Sequence, residues 1–295
     1  MTNFAFIGFG EAGGLLAKGL IAAGATVSAT YDVLIGATSE KSRALIEKAT
    51  QMGVRTEAHP QNAIKNADIV ISAVVSNEMV NAARRVAPYL AKDQIYFDIN
   101  SASPMAKKEA CVAVENAGGH FVEAAVMDLV PPHGHKVPML LAGKRAKQVE
   151  PVLQSYGMNV RAIGETIGVA STIKMVRSVF LKGFSAILLE SLVAAGKVGA
   201  EEEVINSLQV TFPQLDWHKL SDYYANRLVK HARRQAAEMH EVAETLEYLK
   251  LEPLMATATA KRLEWLADRN LDDGHCKMPD TYKELLSELG NNGPH

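Results

Sequence analysis

The chain has 295 residues, 48% of them apolar and 22% charged, with 31 basic and 33 acidic side chains giving a formal net charge of −2. That length supports two domains with a sizeable core, and the apolar content excludes a disordered chain. The charge balance lacks the basic excess of nucleic-acid or membrane-surface proteins, so a small soluble molecule is the expected ligand.

Residues Asn3 to Phe9 form a short apolar run that ends in Gly8-Phe9-Gly10-Glu11-Ala12-Gly13, followed by a helical pattern from Leu15 to Ala23. In such a strand, turn and helix, Gly8 permits the tight turn, Gly10 lets the backbone approach a pyrophosphate, and Gly13 lets helix and strand pack closely. A second strand, Thr26 to Tyr31, leads to Asp32, nineteen residues after Gly13. An acid there accepts hydrogen bonds from a ribose diol, which favours NAD. NADP stays open, because Ser39, Lys41 and Arg43 follow closely enough to meet a 2′-phosphate, although they also read as the solvated start of a helix.

The run Asp68 to Val75 is continuously apolar, as expected of a strand buried on both faces of a parallel sheet. Gln94 to Ile99 reads as the next strand, and its carboxyl end delivers Asp98, Asn100 and Ser101, where open α/β sheets bind ligands. Asp98, Ser101 and Ser103 also suit helix caps; Asn100 and Ser101 are the site candidates. Further strands are expected at 120–126, 138–142 and 159–163. Asp128, His133 and His135 carry ligand-type side chains, but their proline-rich segment reads as a loop near the active site, not a metal site.

From Gly168 onward every long segment has a helical pattern. The stretch Gly168 to Val198 contains no proline, and its charges are Lys174, Arg177, Lys182, Glu190 and Lys197. A helix so apolar all round is expected to be buried between two bodies of protein, spanning about 45 Å. Lys174, Arg177 and Lys182 also break the best candidate for a membrane span. The division expected is an α/β dinucleotide-binding domain with a parallel sheet at 1–167 and an all-helical domain at 168–295. Cys111 and Cys276 stand in unrelated contexts, and the amino terminus enters a strand directly. A reducing, cytoplasmic setting is the expectation.

The motifs GFGEAG (8–13), DINSASP (98–104), FVEAAVMDLVPPHG (121–134) and GVASTIKMVRS (168–178), in this order, resemble the β-hydroxyacid dehydrogenase superfamily, which includes the 3-hydroxyisobutyrate and 6-phosphogluconate dehydrogenases. The resemblance implies a Rossmann domain joined by a long helix to a 6-phosphogluconate dehydrogenase-like helical domain, and a homodimer. It implies that Lys174 is the general acid/base, that Asn100 and Ser101 hold substrate, and that Val74, Val75, Ser76 and also Asn100 lie beside the cofactor. A lysine serves as base only when its pKa falls well below about 10.4, and Arg177, on the same helical face at i+3, supplies a cation for that.

Three positions depart from the pattern. The serine and two glycines that bind a substrate carboxylate are here Met127, Asp128 and Leu129; the asparagine four residues after the lysine is Ser178; and the glutamate of the decarboxylating enzymes is Leu181. Arg234, on one helical face with Glu238 and Glu241, is the candidate replacement for the lost anion site. The expectation is therefore an NAD(P)-dependent dehydrogenase or reductase acting on a hydroxyl-bearing small molecule without decarboxylation. An imine or ketimine reductase, or a dinucleotide-binding protein whose catalysis has lapsed, are the alternatives.

Overall fold

The computed structural model describes residues 2–271 and 278–291, so Cys276 lies outside the described residues. The chain divides into two units, 1–174 and 175–295.

The first unit alternates strands and helices: β1 (Asn3–Ile7), α1 (Glu11–Ala22), β2 (Thr26–Tyr31), α2 (Glu40–Gln51), β3 (Arg55–Glu57), α3 (Pro60–Ile64), β4 (Ile69–Ser72), α4 (Met79–Val86), β5 (Ile95–Asp98), α5 (Pro104–Asn116), β6 (His120–Val126), α6 (Val130–His133), β7 (Met139–Ala142), α7 (Ala146–Ser155) and β8 (Val160–Gly164). The eight strands form one sheet in the order β3-β2-β1-β4-β5-β6-β7-β8. The sheet is parallel throughout except between β6 and β7, which run antiparallel. The parallel sheet expected from the sequence is thus present, with one antiparallel pair within it. The β6–β7 link holds only α6 and a 3-10 turn, without the longer helix that usually joins parallel neighbours.

Side chains alternate across β1 and so build two cores. Phe4 and Phe6 pack with Leu16 and Leu20 of α1, Leu45 of α2 and Leu153 of α7. Ala5 and Ile7 pack with Ile64 of α3, Val86 of α4 and Val114 of α5. Helices thus cover both faces of the sheet, and its strand ends are left to carry function.

Helix α8 (Val169–Gly196) begins in the first unit and continues into the second. It is not buried all round: Val176 is 40% exposed, Phe180 73% and Ile187 58%. Spacings of four and seven residues put these three on one face. By length and composition α8 is also able to cross a membrane, with an 18-residue window of mean hydropathy 1.6. This differs from the expectation that charges break the span, because they crowd the helix's amino-terminal half and leave a window with few of them. The core helix of a water-borne domain passes the same test.

The second unit is helical among its described residues, with α9 (Glu201–Thr211), α10 (Trp217–Tyr248), α11 (Leu254–Ala267) and α12 (Tyr282–Asn291). Leu188, Leu192, Trp217, Leu228, Met239 and Leu263 are among its core residues. Trp217 packs on Phe184 with ring centroids 5.9 Å apart, and its indole N–H donates to the Phe212 carbonyl at 3.3 Å.

Candidate active site

The glycine turn between β1 and α1 follows from its backbone. Gly8 sits at φ +89°, and a Cβ there would meet the Ala73 carbonyl oxygen at 2.3 Å. A Cβ on Gly13 would lie 2.4 Å from the Gly8 carbonyl oxygen. Gly10, by contrast, caps α1, and a Cβ on it would find no atom within 4 Å. The three glycines therefore serve three needs: turn, approach and packing. Beside this turn lies a cavity of about 510 Å³ lined by Gly8, Gly10, Glu11, Ala12, Asp32 and Val74, among others, with Val75 on its wall. Phe9 is buried and points away from solvent. Open space at Gly10, amide groups at a helix start and an acid at the second strand together fit a dinucleotide.

Asp32 accepts from Phe9 N at 2.9 Å through Oδ2 and from Leu34 N at 3.0 Å through Oδ1, so it also ties the turn to β2. Ser39 caps α2 by accepting from Ser42 N at 3.1 Å. Ser39, Lys41 and Arg43 are absent from the cavity lining. Lys48 of α2 escaped the sequence reading. Its ammonium donates to the Gly10 carbonyl at 2.8 Å and lies 5.4 Å from the Phe9 ring centre. Burial pulls its pKa below the usual lysine range, against the opposing pull of Asp32 and Glu11.

At the carboxyl ends of β4 and β5, Asn100 bridges the strands. Its Oδ1 accepts from Val74 N at 2.6 Å and its Nδ2 donates to Ser72 Oγ at 2.9 Å. Asn100 thus fixes the Val74 loop beside the cavity, while Ser76 opens an exposed 3-10 turn. Beneath Asn100, Asp98 Oδ1 accepts from Asn100 N at 2.8 Å and from Lys107 Nζ at 3.0 Å, and this ion pair is fully buried.

Ser101, next in the chain, is exposed, and its Oγ accepts from Lys174 Nζ at 3.1 Å. This contact joins two residues 73 positions apart, both of them candidate site residues from the sequence. Helix α8 reaches it from a fixed start. Gly168 has φ +97°, and the buried carboxylate of Glu123 accepts from Gly168 N at 2.5 Å and Ser171 N at 2.6 Å.

Residues 3–164, more than half of the chain, match the NAD binding domain of 6-phosphogluconate dehydrogenase. The chain belongs to the β-hydroxyacid dehydrogenase superfamily. Residues 195–266 match a domain of unknown function, DUF1932. A conserved hypothetical protein from Sinorhizobium meliloti 1021 is 39% identical over 99% of this chain and 97% of its own, with a TM-score of 0.86. At 16% identity the fold recurs in the Mycobacterium tuberculosis 3-hydroxyisobutyrate dehydrogenase, solved with L-serine, with a TM-score of 0.74 over 98% of this chain and 99% of that one. It recurs also in an imine reductase from Myxococcus stipitatus in complex with NADP+, at 16% identity and a TM-score of 0.56, over 98% and 100% of the two chains. These two likenesses concern the fold.

Superfamily membership sharpens the departures noted in the sequence. Met127 packs against Ala125, Ala142 and Ala170, so the strand end is closed by an apolar side chain. Asp128 is exposed, accepts from Leu129 N at 2.7 Å and stands 3.3 Å from His133 Nε2. His135 does not join that pair: its imidazole Nδ1 lies where a Cβ on Gly19 of α1 would be. The loop therefore packs on α1, and no three-residue metal cluster occurs among the described residues.

In the second unit, Arg177 is exposed and Ser178 half-buried on α8. Arg234 is paired with Glu238, which also binds Lys182 at 2.7 Å. Burial raises the Glu238 pKa, but the two cations more than offset this and hold it below the ordinary carboxylate range. Burial and then Arg234 lower the pKa of His231. The structure thus engages Arg234 in an ion pair along its own helix.

Proposed function

We propose that the protein is an NAD(P)-dependent dehydrogenase or reductase that moves a hydride between the nicotinamide and a hydroxyl-bearing carbon, without decarboxylation. The observation that carries this reading is the Lys174 Nζ to Ser101 Oγ contact of 3.1 Å, in a unit whose glycine turn fits a dinucleotide. The dinucleotide, when bound, supplies the hydride acceptor or donor. Gly8 to Gly13 and Asp32 would hold it, with Val74, Val75 and Ser76 beside it.

Lys174, as a neutral amine, takes the proton of the substrate hydroxyl as the carbonyl forms, and returns it in the reverse direction. Ser101 donates its hydroxyl hydrogen to, or accepts from, the same reacting oxygen and so keeps it near the lysine. Asn100 acts on the cofactor side by holding the Val74 loop. Apolar Leu181 offers no acid where the decarboxylating relatives protonate an enol, which supports a reaction that stops at the carbonyl. Asp32 supports NAD over NADP, since a ribose diol donates to its carboxylate and a 2′-phosphate is repelled by it. The exposed stripe of Val176, Phe180 and Ile187 supports a homodimer, and the cysteine usage supports a cytoplasmic setting.

One observation favours a second substrate class. Asp128 stands where superfamily members hold a substrate carboxylate with a serine and glycines, and an ionised aspartate repels that group. An imine or ketimine, carrying positive charge when protonated, suits it better. The test is a panel of β-hydroxy acids, neutral alcohols, amines and cyclic imines with NAD and NADP, followed by nicotinamide absorbance at neutral and alkaline pH. Turnover of hydroxy acids or alcohols supports the first reading, and turnover of imines alone supports the second. Binding of NADH with no turnover overturns both.

A further inference from the structure

Two carboxylates lie side by side in the middle of the sheet. Asp98 of β5 and Glu123 of β6 are register partners on adjacent parallel strands, and neither is exposed to solvent. Buried like charges at such spacing persist only if each has its own counter-charge. For Asp98 this is Lys107, 1% exposed, whose ammonium also lies 3.4 Å from the Asp98 carbonyl. For Glu123 it is the amino terminus of α8: the carboxylate accepts two backbone N–H groups of the first turn, whose positive dipole end it neutralises.

The two pairs lead to the two halves of the candidate site. Asp98 also accepts from Asn100 N at 2.8 Å, directly before Ser101. Glu123 binds Ser171, one turn before Lys174 and on the same helical side. Ser171 and Thr172 hydroxyls both return to the Gly168 carbonyl, at 3.2 and 2.6 Å, and tighten that turn. Ala170 packs with Ala125 and Ala142, so small side chains let the helix approach the sheet.

We infer that Glu123 is a positioning residue: its carboxylate fixes the first turn of α8 on β6 and thereby holds Lys174 Nζ at hydrogen-bond distance from Ser101. This rests on the reading of Lys174 as the proton-transfer group. Glutamine in its place is neutral and brings an NH₂ toward two N–H donors; aspartate keeps the charge but is one methylene shorter.

The test compares full-length wild type, Glu123→Gln, Glu123→Asp and Lys174→Ala. Hydrogen exchange is read at the amides of residues 168–174, NADH affinity by fluorescence, and kcat and KM on the substrate that the panel identifies. Losing a charge-assisted bond is expected to speed exchange at these amides about tenfold or more in Glu123→Gln, and less in Glu123→Asp. Exchange in β1 and NADH affinity should stay within about twofold, while kcat falls about tenfold or more, since small misplacements of a catalytic group are costly. Glu123→Asp should recover part of kcat. Unchanged exchange at 168–174 overturns the anchoring. Faster exchange with wild-type kcat, or an equal loss of NADH affinity, overturns the link to Lys174. Should Glu123→Gln fail to fold, Glu123→Asp decides by the same readouts. Full turnover by Lys174→Ala overturns the proton-transfer assignment and the link together, whereas its inactivity beside a fully active Glu123→Gln overturns the link alone.

Discussion

A methyl group added at Gly10 or at Gly8 should produce opposite phenotypes. At Gly10 a Cβ meets nothing within 4 Å, and φ is −62°, a value any residue adopts. Gly10→Ala should therefore keep the wild-type melting temperature or raise it slightly, by the few tenths to about 1 kcal/mol that a stiffer unfolded chain confers. Its methyl, however, occupies the space through which the backbone approaches a pyrophosphate. Losing one hydrogen bond to a charged group costs about 1.5–3 kcal/mol, or roughly 10- to 150-fold in NADH affinity. At Gly8 the φ of +89° costs an L-residue about 1–2 kcal/mol, and a Cβ 2.3 Å from the Ala73 carbonyl forces overpacking worth about 1–3 kcal/mol more. For a unit of this size that is a fall of roughly 4–20 °C in melting temperature. Differential scanning fluorimetry and NADH fluorescence titration on the same preparations separate the two effects. Wild-type NADH affinity in Gly10→Ala, or equal stability of both variants, would refute the assignment of approach to one glycine and turn to the other.

Other consequences are open to direct measurement. Asp32→Ala should weaken NAD more than NADP, and, because Asp32 also holds Phe9 N and Leu34 N, it should weaken both; an unchanged ratio of dissociation constants sinks the ribose role. The Glu238 carboxylate, kept below the ordinary range by Lys182 and Arg234 despite its burial, contributes stability that is present above the unfolded glutamate pKa of about 4.3 and is lost as pH falls through the lower folded value. The melting-temperature gap between wild type and Glu238→Gln should accordingly be widest near neutrality and close under acid; a gap that widens in acid contradicts this. Burial, aided by Glu115, pushes the Cys111 thiol up to about 11. In a Cys276→Ser background its alkylation should stay slow at pH about 8, where an ordinary thiol near 8.5 reacts readily.

The order of elements was legible because apolar runs and glycine punctuation act locally. The GFGEAG turn, Asp32 and the start of α8 each state their structure within a few residues. The antiparallel β6–β7 pair was not legible, since strand direction depends on how a short link closes in space. Nor was the exposed face of α8 visible: an apolar helix says that burial is favourable, not which side obtains it. In the site, Asn100, Ser101 and Lys174 are legible as candidates, whereas the bridge that the Asn100 amide makes between Val74 N and Ser72 is not, because it joins groups 26 and 28 residues away in the chain. Glu123, Lys107 and Lys48 were missed. Glu123 did leave a signal, a carboxylate in the middle of the apolar strand FVEAAV, where only a fixed partner makes burial tolerable. Its partner is a helix amino terminus 45 residues on, which no local pattern reveals.

The central claim is that Lys174 moves the proton while the glycine turn holds the cofactor, and Lys174→Ala separates the two. On the substrate identified by the panel, turnover should fall by roughly 10² to 10⁴ with NADH affinity nearly intact. Wild-type turnover, or a loss of NADH affinity equal to the loss of turnover, would contradict it.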